Sequence, residues 1–187
     1  MRRISTVRRA WVVGFALIAG ACGAREDAEP VTDTAADVPP AAAEATAPGD
    51  QEFLREMTNH HHGMVTMAHE AMEKSGSAVQ EEATAIDQKQ DEEIEQMLAI
   101  LLKDFSDPHT PTIDPATQAM ADDLSTKSGA DYDRAFRMHA IEHHQQGVAM
   151  IDRFLPRLTR ADVRAMAEKM KADQQREIQD MQSKLQQ

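Results

Sequence analysis

The chain has 187 residues, 32 acidic and 20 basic, for a formal charge of −12; aromatics make up 4% and there is one cysteine. That length holds one ordinary domain plus flanking segments. Scarce aromatics argue against a β-sandwich or barrel. The acidic balance argues against a nucleic-acid binder, which needs a basic face, and a single thiol excludes a disulfide framework or a multi-thiolate zinc site within one chain.

Arg2, Arg3, Arg8 and Arg9 precede the apolar run Ala10–Ala21. Twelve apolar residues fall short of the about 20 that span a bilayer, so the run reads as an export signal. It ends in Ala19-Gly20-Ala21-Cys22, which resembles a bacterial lipobox, where the cysteine is lipidated and becomes the first residue. Plain secretion with an Ala-Gly-Ala cleavage site is the alternative; the position of the only cysteine favours the lipoprotein. Residues 1–21 are therefore expected to be a lipoprotein-type signal peptide. Residues 22–49 contain Pro30, Pro39, Pro40 and Pro48, many alanines and no apolar periodicity. They read as a disordered acidic tether. Loss of the first 21 residues removes four arginines and no acid. The remaining acidic surface attracts cations. The expected location is outside the cytoplasm, on a membrane by the lipid anchor.

From residue 50 to 187 the pattern is helical and occurs twice. Phe53, His60, His61, Val65 and Met67 recur 83 residues later as Phe136, His143, His144, Val148 and Met150. Gln90-x-x-Glu93-Ile94-x-x-Met97 recurs 84 residues later as Gln174-x-x-Glu177-Ile178-x-x-Met181. Each half, about 50–103 and 131–187, is thus a helix, a turn and a second helix. A first helix is expected over about 50–74, stopped by Ser75-Gly76-Ser77. A second runs over about 78–103. Pro108, Pro111 and Pro115 mark the connection between halves, with a short extra helix at about 116–126. A third long helix covers about 131–154, and a fourth follows Thr159 as N-cap. Two hairpins with apolar stripes bury them best against each other, which gives an all-α four-helix bundle.

At about 100° per residue, Phe53, Met57, His60, His61, Met64, Met67, Ala68 and Ala71 share one face of the first helix, with His62 and His69 opposite, toward water. Phe136, Ala140, His143, His144, Gly147, Met150, Ile151 and Phe154 share the inner face of the third. Gln90 and Glu93 fall on the inner face of the second helix, Gln174 and Glu177 on that of the fourth. The interior is then expected to hold paired imidazoles, carboxylates and amides. A buried neutral polar group without a partner costs about 1–3 kcal/mol, so these groups need partners. Either His–Glu hydrogen bonds satisfy them as a structural network, or a metal does, with His and Met as ligands and Glu or Gln as ligands or supports. Twelve methionines favour the metal. His60 and Met64 are four apart, His143 and Met150 seven, both on one helical face. Thioether with imidazole suits Cu(I), and imidazole also serves Cu(II). Each methionine alone is ordinary core filler; the combination with doubled histidines in both halves carries the reading. His139 and His143, four apart, offer a chelating pair at the bundle end, matched by Glu56 and His60, with a solvated rim pair as the plainer reading. His109 lies in the Pro-rich loop.

The motifs Phe53…Met57-x-x-His60-His61…Met67-Ala68, Phe136…His143-His144…Met150 and the two Gln-x-x-Glu-Ile-x-x-Met segments resemble the DUF305 family, exported bacterial helical bundles grouped with the ferritin-like folds. The resemblance covers residues 50–187. It implies a ferritin-like bundle and, as for some members, copper binding and tolerance. It carries His60, His61, His143, His144, Met67 and Met150 over as site residues, with Met57 and Met64 beside them. The second half departs from the first in having Ala140 and Gly147 where the first has Met57 and Met64, so the halves are unequal.

The leading expectation is a metal-binding protein, not an enzyme, that sequesters or passes copper, as Cu(I) rather than Cu(II), with another metal as the alternative cargo. The candidate ligands are His60, His61, Met64, Met67, His143, His144 and Met150. Met57, Glu56, His139, Gln90, Glu93, Gln174 and Glu177 are additional or supporting groups, and Cys22 is the lipidation site. One competing reading is a structural or interaction bundle without metal. Another is a ferritin-like di-metal oxidase, which uses Glu-x-x-His pairs; none occurs here.

Overall fold

The computed structural model describes residues 48–74 and 78–187. The signal peptide, Cys22, nearly all of the tether and the Ser75-Gly76-Ser77 turn lie outside the described residues. Five helices follow in order: α1 Pro48–Glu73, α2 Gln80–Phe105, α3 Pro115–Ser125, α4 Gly129–Phe154 and α5 Ala161–Leu185, with a 3-10 turn at Leu155–Arg157. α1 pairs with α2 and α4 with α5, while α1 packs on α4 to join the hairpins. The short α3 lies against α1 and α4. The result is the expected helical bundle, and among the described residues no helix is long and apolar enough to cross a membrane.

Local chemistry sets the ends. Asp114 caps α3, its Oδ1 accepting from the Ala116 and Thr117 amides at 2.9 and 3.1 Å, with Pro115 in the first turn. α2 ends at Ser106 in the left-handed region, φ 55°, and the Asp107 amide returns to the Leu101 carbonyl at 2.9 Å. That turn delivers the Asp107 carboxylate to α1, where Arg55 and Gln51 donate to it. Those two donors hold its pKa down to about 2. The expected N-cap of the last helix needs correction. Arg160 occupies that position without a side-chain cap. Thr159 instead gives its amide (3.0 Å) and hydroxyl (2.6 Å) to Asp50, a fully buried carboxylate in the first turn of α1. A buried charge needs donors more than an exposed helix end needs a cap.

The apolar core is split in two. One cluster holds Phe53, Leu54, Met57, Met97, Leu101, Ile151, Phe154, Val163, Ala167 and Met170. The other holds Met64, Met67, Ala68, Ala71, Ala83, Ile86, Met120, Leu124, Tyr132, Phe136, Ala140 and Met181. Along every long helix the switch between clusters comes at the polar motif: between Met57 and Met64 on α1, Ile86 and Met97 on α2, Ala140 and Ile151 on α4, Met170 and Met181 on α5. The motifs therefore form one polar layer between two dry apolar ends.

Candidate metal centre

Two adjacent residues on a helix stand about 100° apart, so a doubled histidine straddles the inner arc and both rings turn inward. His61, His143 and His144 are fully buried and His60 is 7% exposed. α1 and α4 run antiparallel and bring the pairs together: the His60 and His143 rings stack with centroids 3.8 Å apart and planes 12° from parallel. The His60 and His61 centroids are 6.3 Å apart. Two glycines make room around these rings, Gly147 between α4 and α1 and Gly63 between α1 and α3. A Cβ at Gly147 would stand 2.7 Å from His60 Nε2 and 2.3 Å from Gln174 Oε1; one at Gly63 would stand 2.6 Å from Thr117 Cγ2 of α3.

Each hairpin repeats one contact. His61 Nε2 lies 2.9 Å from Glu93 Oε2, and His144 Nε2 lies 2.8 Å from Glu177 Oε2. A carboxylate accepts only, so a neutral ring facing it carries its proton on Nε2 and keeps its lone pair on Nδ1. Both Nδ1 atoms are buried and have no hydrogen-bond partner. The carboxylates are in turn held from outside. Lys89 pairs with Glu177, and Lys169 Nζ stands 3.6 Å from Glu93 Oε1. Surface grooves reach both acids, one of about 480 Å³ lined in part by Glu177, Arg137 and Lys184 and one of about 340 Å³ lined by Glu93, Lys89 and Lys169.

Burial, and then the neighbouring His61 and His144, push the His60 pKa down to about 3. Burial, and then His60 and His144, drive His143 well below the ordinary imidazole value. Burial would raise Glu177, but the hydrogen bonds from His144 and Lys89 outweigh it and lower its pKa. His60 and His143 are thus neutral imidazoles at ordinary pH, and Glu177 is an ionised carboxylate.

Five imidazole nitrogens are buried without a partner: His60 Nε2, His61 Nδ1, both nitrogens of His143, and His144 Nδ1. Gln90 Oε1 and both amide atoms of Gln174 are in the same condition. At about 1–3 kcal/mol each, five such nitrogens left without any partner would cost on the order of 10 kcal/mol, as much as a whole domain's stability of about 5–15 kcal/mol, so the layer calls for a partner from outside the chain. The donor set fits a cation that takes imidazole nitrogen, and the His–carboxylate pairs are the supports such ligands ordinarily have.

The methionines sit outside the layer on both sides. Met57 belongs to one apolar cluster, with half-buried Met150 packed on it, and Met64 and Met67 belong to the other. Glu56 is drawn to Arg153 at the surface, and His139 Nε2 to Asp123 Oδ2 at 2.8 Å. His62 is half-buried rather than open to water; His69 is exposed. His109 bonds Asn59 Oδ1 at 2.9 Å. Sequence reasoning did not single out Gly63 as a close-approach position, Thr117 of α3, Lys89, Lys169, or Asp173, which is buried at the edge of the layer against Lys169 and Arg176. The i, i+4 spacing of Lys169 and Asp173 was the available signal for the last pair.

The family model described as "Domain of unknown function (DUF305)" matches residues 22–101 and 50–185. No curated protein is significantly similar. Among solved structures, a DUF305 fragment from Deinococcus radiodurans has a TM-score of 0.66 at 28% identity, covering 74% of this chain and 95% of that one. CopM in its Cu(II)-bound form has a TM-score of 0.64 at 27% identity, covering 73% and 95%. CopM in its Cu(I)-bound form gives 0.62 at 27% identity over the same shares. The duplicated His-His and Gln-x-x-Glu motifs, the bundle they build and the match along almost all of the described residues agree: the chain belongs to the DUF305 family.

Proposed function

We propose that this protein binds a soft or borderline metal ion, copper foremost, in the histidine layer, and holds or passes it outside the cytoplasm. The observation that carries the reading is the set of five buried, unpartnered imidazole nitrogens in one layer. His60, His61, His143 and His144 are the proposed ligands, with Met64 and Met67 on one side of the layer and Met57 and Met150 on the other as candidate thioether donors. Glu93 and Glu177 fix the proton of His61 and His144 on Nε2 and leave Nδ1 as the donor atom. Gln90 and Gln174 remain as further polar groups of the layer. The reading assigns no catalytic step. The solved Cu(I)-, Cu(II)- and Ag-bound forms of CopM support it by likeness. The basic and apolar N-terminal run and Cys22 support export and a lipid anchor.

Water filling the layer would satisfy the same nitrogens, and the two readings part on a thermal melt. A ligand that binds only the native state at 100 times its Kd adds about 2.7 kcal/mol, so Ag(I) or Cu(I) is expected to raise Tm by several degrees. Replacing His60, His61, His143 and His144 by Ala is expected to abolish tight binding while helicity survives. Cu(I) held by that variant at wild-type affinity refutes the assignment.

A further inference from the structure

We propose that His69, Asp87 and Asp91 form a second cation site, on the outer face of the α1–α2 hairpin, for a divalent ion of borderline character such as Zn(II) or Cu(II). Asp87 and Asp91 are one turn apart on α2, so both carboxylates share a face, and His69 meets them from α1. One ligand atom from each lies within 4.8 Å of the other two. Two donors bound to one ion at about 2.0–2.2 Å stand about 3 Å apart. His69 Nε2 and Asp87 Oδ1 already stand 2.9 Å apart, the spacing of two donors on one ion. His69 is 57% exposed and Asp91 is exposed, so the last adjustment is free to occur.

Charge points the same way. Other acids facing across the helix seams are met by Lys or Arg, as Glu82 is by Arg137 and Lys184 and Glu177 is by Lys89. Among the described residues no Lys or Arg pairs with Asp87 or Asp91. Two carboxylates held together without a cation repel, and a divalent ion relieves the repulsion. One imidazole with two carboxylates favours Zn(II) or Cu(II) over monovalent soft ions, so this site differs in preference from the inner layer.

The test is a Zn(II) count by equilibrium dialysis of the exported full-length chain, wild type against His69→Ala and Asp91→Asn, with Ag(I) counted in parallel. Each variant is expected to lose one Zn(II) equivalent, with helicity and Ag(I) uptake as in the wild type. Zn(II) counts equal to wild type in both variants, or a wild type that takes up no Zn(II), overturn the proposal. Ag(I) reports only the inner layer, so failure of that reading shows separately.

Discussion

A methyl group added at Gly147 would press on two side-chain atoms of the layer, Gln174 Oε1 at 2.3 Å and His60 Nε2 at 2.7 Å. Ordinary contact begins at 3.4 Å, so the ring nitrogen must retreat by about 0.7 Å. Overpacking of this kind costs about 1–3 kcal/mol, and the Gly-to-Ala change in a helix interior returns about 1 kcal/mol. Both crowded atoms are side-chain tips that can move, so the net loss is expected at about 0–2 kcal/mol, a few degrees in the melt of the metal-free protein. Binding suffers more. Coordination distances hold within about 0.2 Å, and the displacement is several times that. Gly147→Ala is therefore expected to lower Ag(I) affinity at least about tenfold, the scale on which misoriented ligands act. The assay is competition against a chromophoric chelator, beside a thermal melt without metal. A folded Gly147→Ala protein with wild-type Ag(I) affinity would show that His60 Nε2 is no ligand.

Other expectations follow from the same geometry. Glu93→Gln and Glu177→Gln keep the shape but remove the anion that fixes each Nε2 proton; each is expected to weaken Ag(I) binding about 10–100-fold, and an effect under twofold in both refutes the supporting role. Acid should destabilise the metal-free protein through its imidazoles. The unfolded chain protonates His60 near 6.5 while the folded one resists until about 3, so stability is present above about 6.5 and falls as pH drops toward 3. His143 adds a loss of the same sign. Urea midpoints measured across this range should fall less steeply in His60→Gln than in wild type, and identical slopes would refute the burial of a neutral His60.

Much of the fold is legible in the residues because periodicity is a local property. Inner-face histidines, the two hairpins and the Gln-x-x-Glu partners follow from a helical wheel and a repeat offset. Thr159 shows the limit. Its residue type suits an N-cap, but a buried carboxylate 109 positions away takes its donors. The same holds for Glu56 and His139, whose spacing from His60 and His143 suggests chelation. Arg153 lies across the α1–α4 seam from Glu56, and Asp123 on α3 faces His139. His69 reads from sequence as a water-facing residue, and only the pairing of α1 with α2 reveals two aspartates beside it.

Sequence alone determined that four helices each carry one polar break in an apolar stripe, since spacing along a helix fixes direction around it. Tertiary structure decided that the four breaks meet at one level, because α1 and α4 pack antiparallel with Gly147 against His60, while Gly63 makes room for α3. It also decided which nitrogen of His61 and of His144 is held by carboxylate and which is left over. That choice depends on atoms brought together from helices 32 or more residues apart, where loop closure and side-chain packing act and local propensity does not.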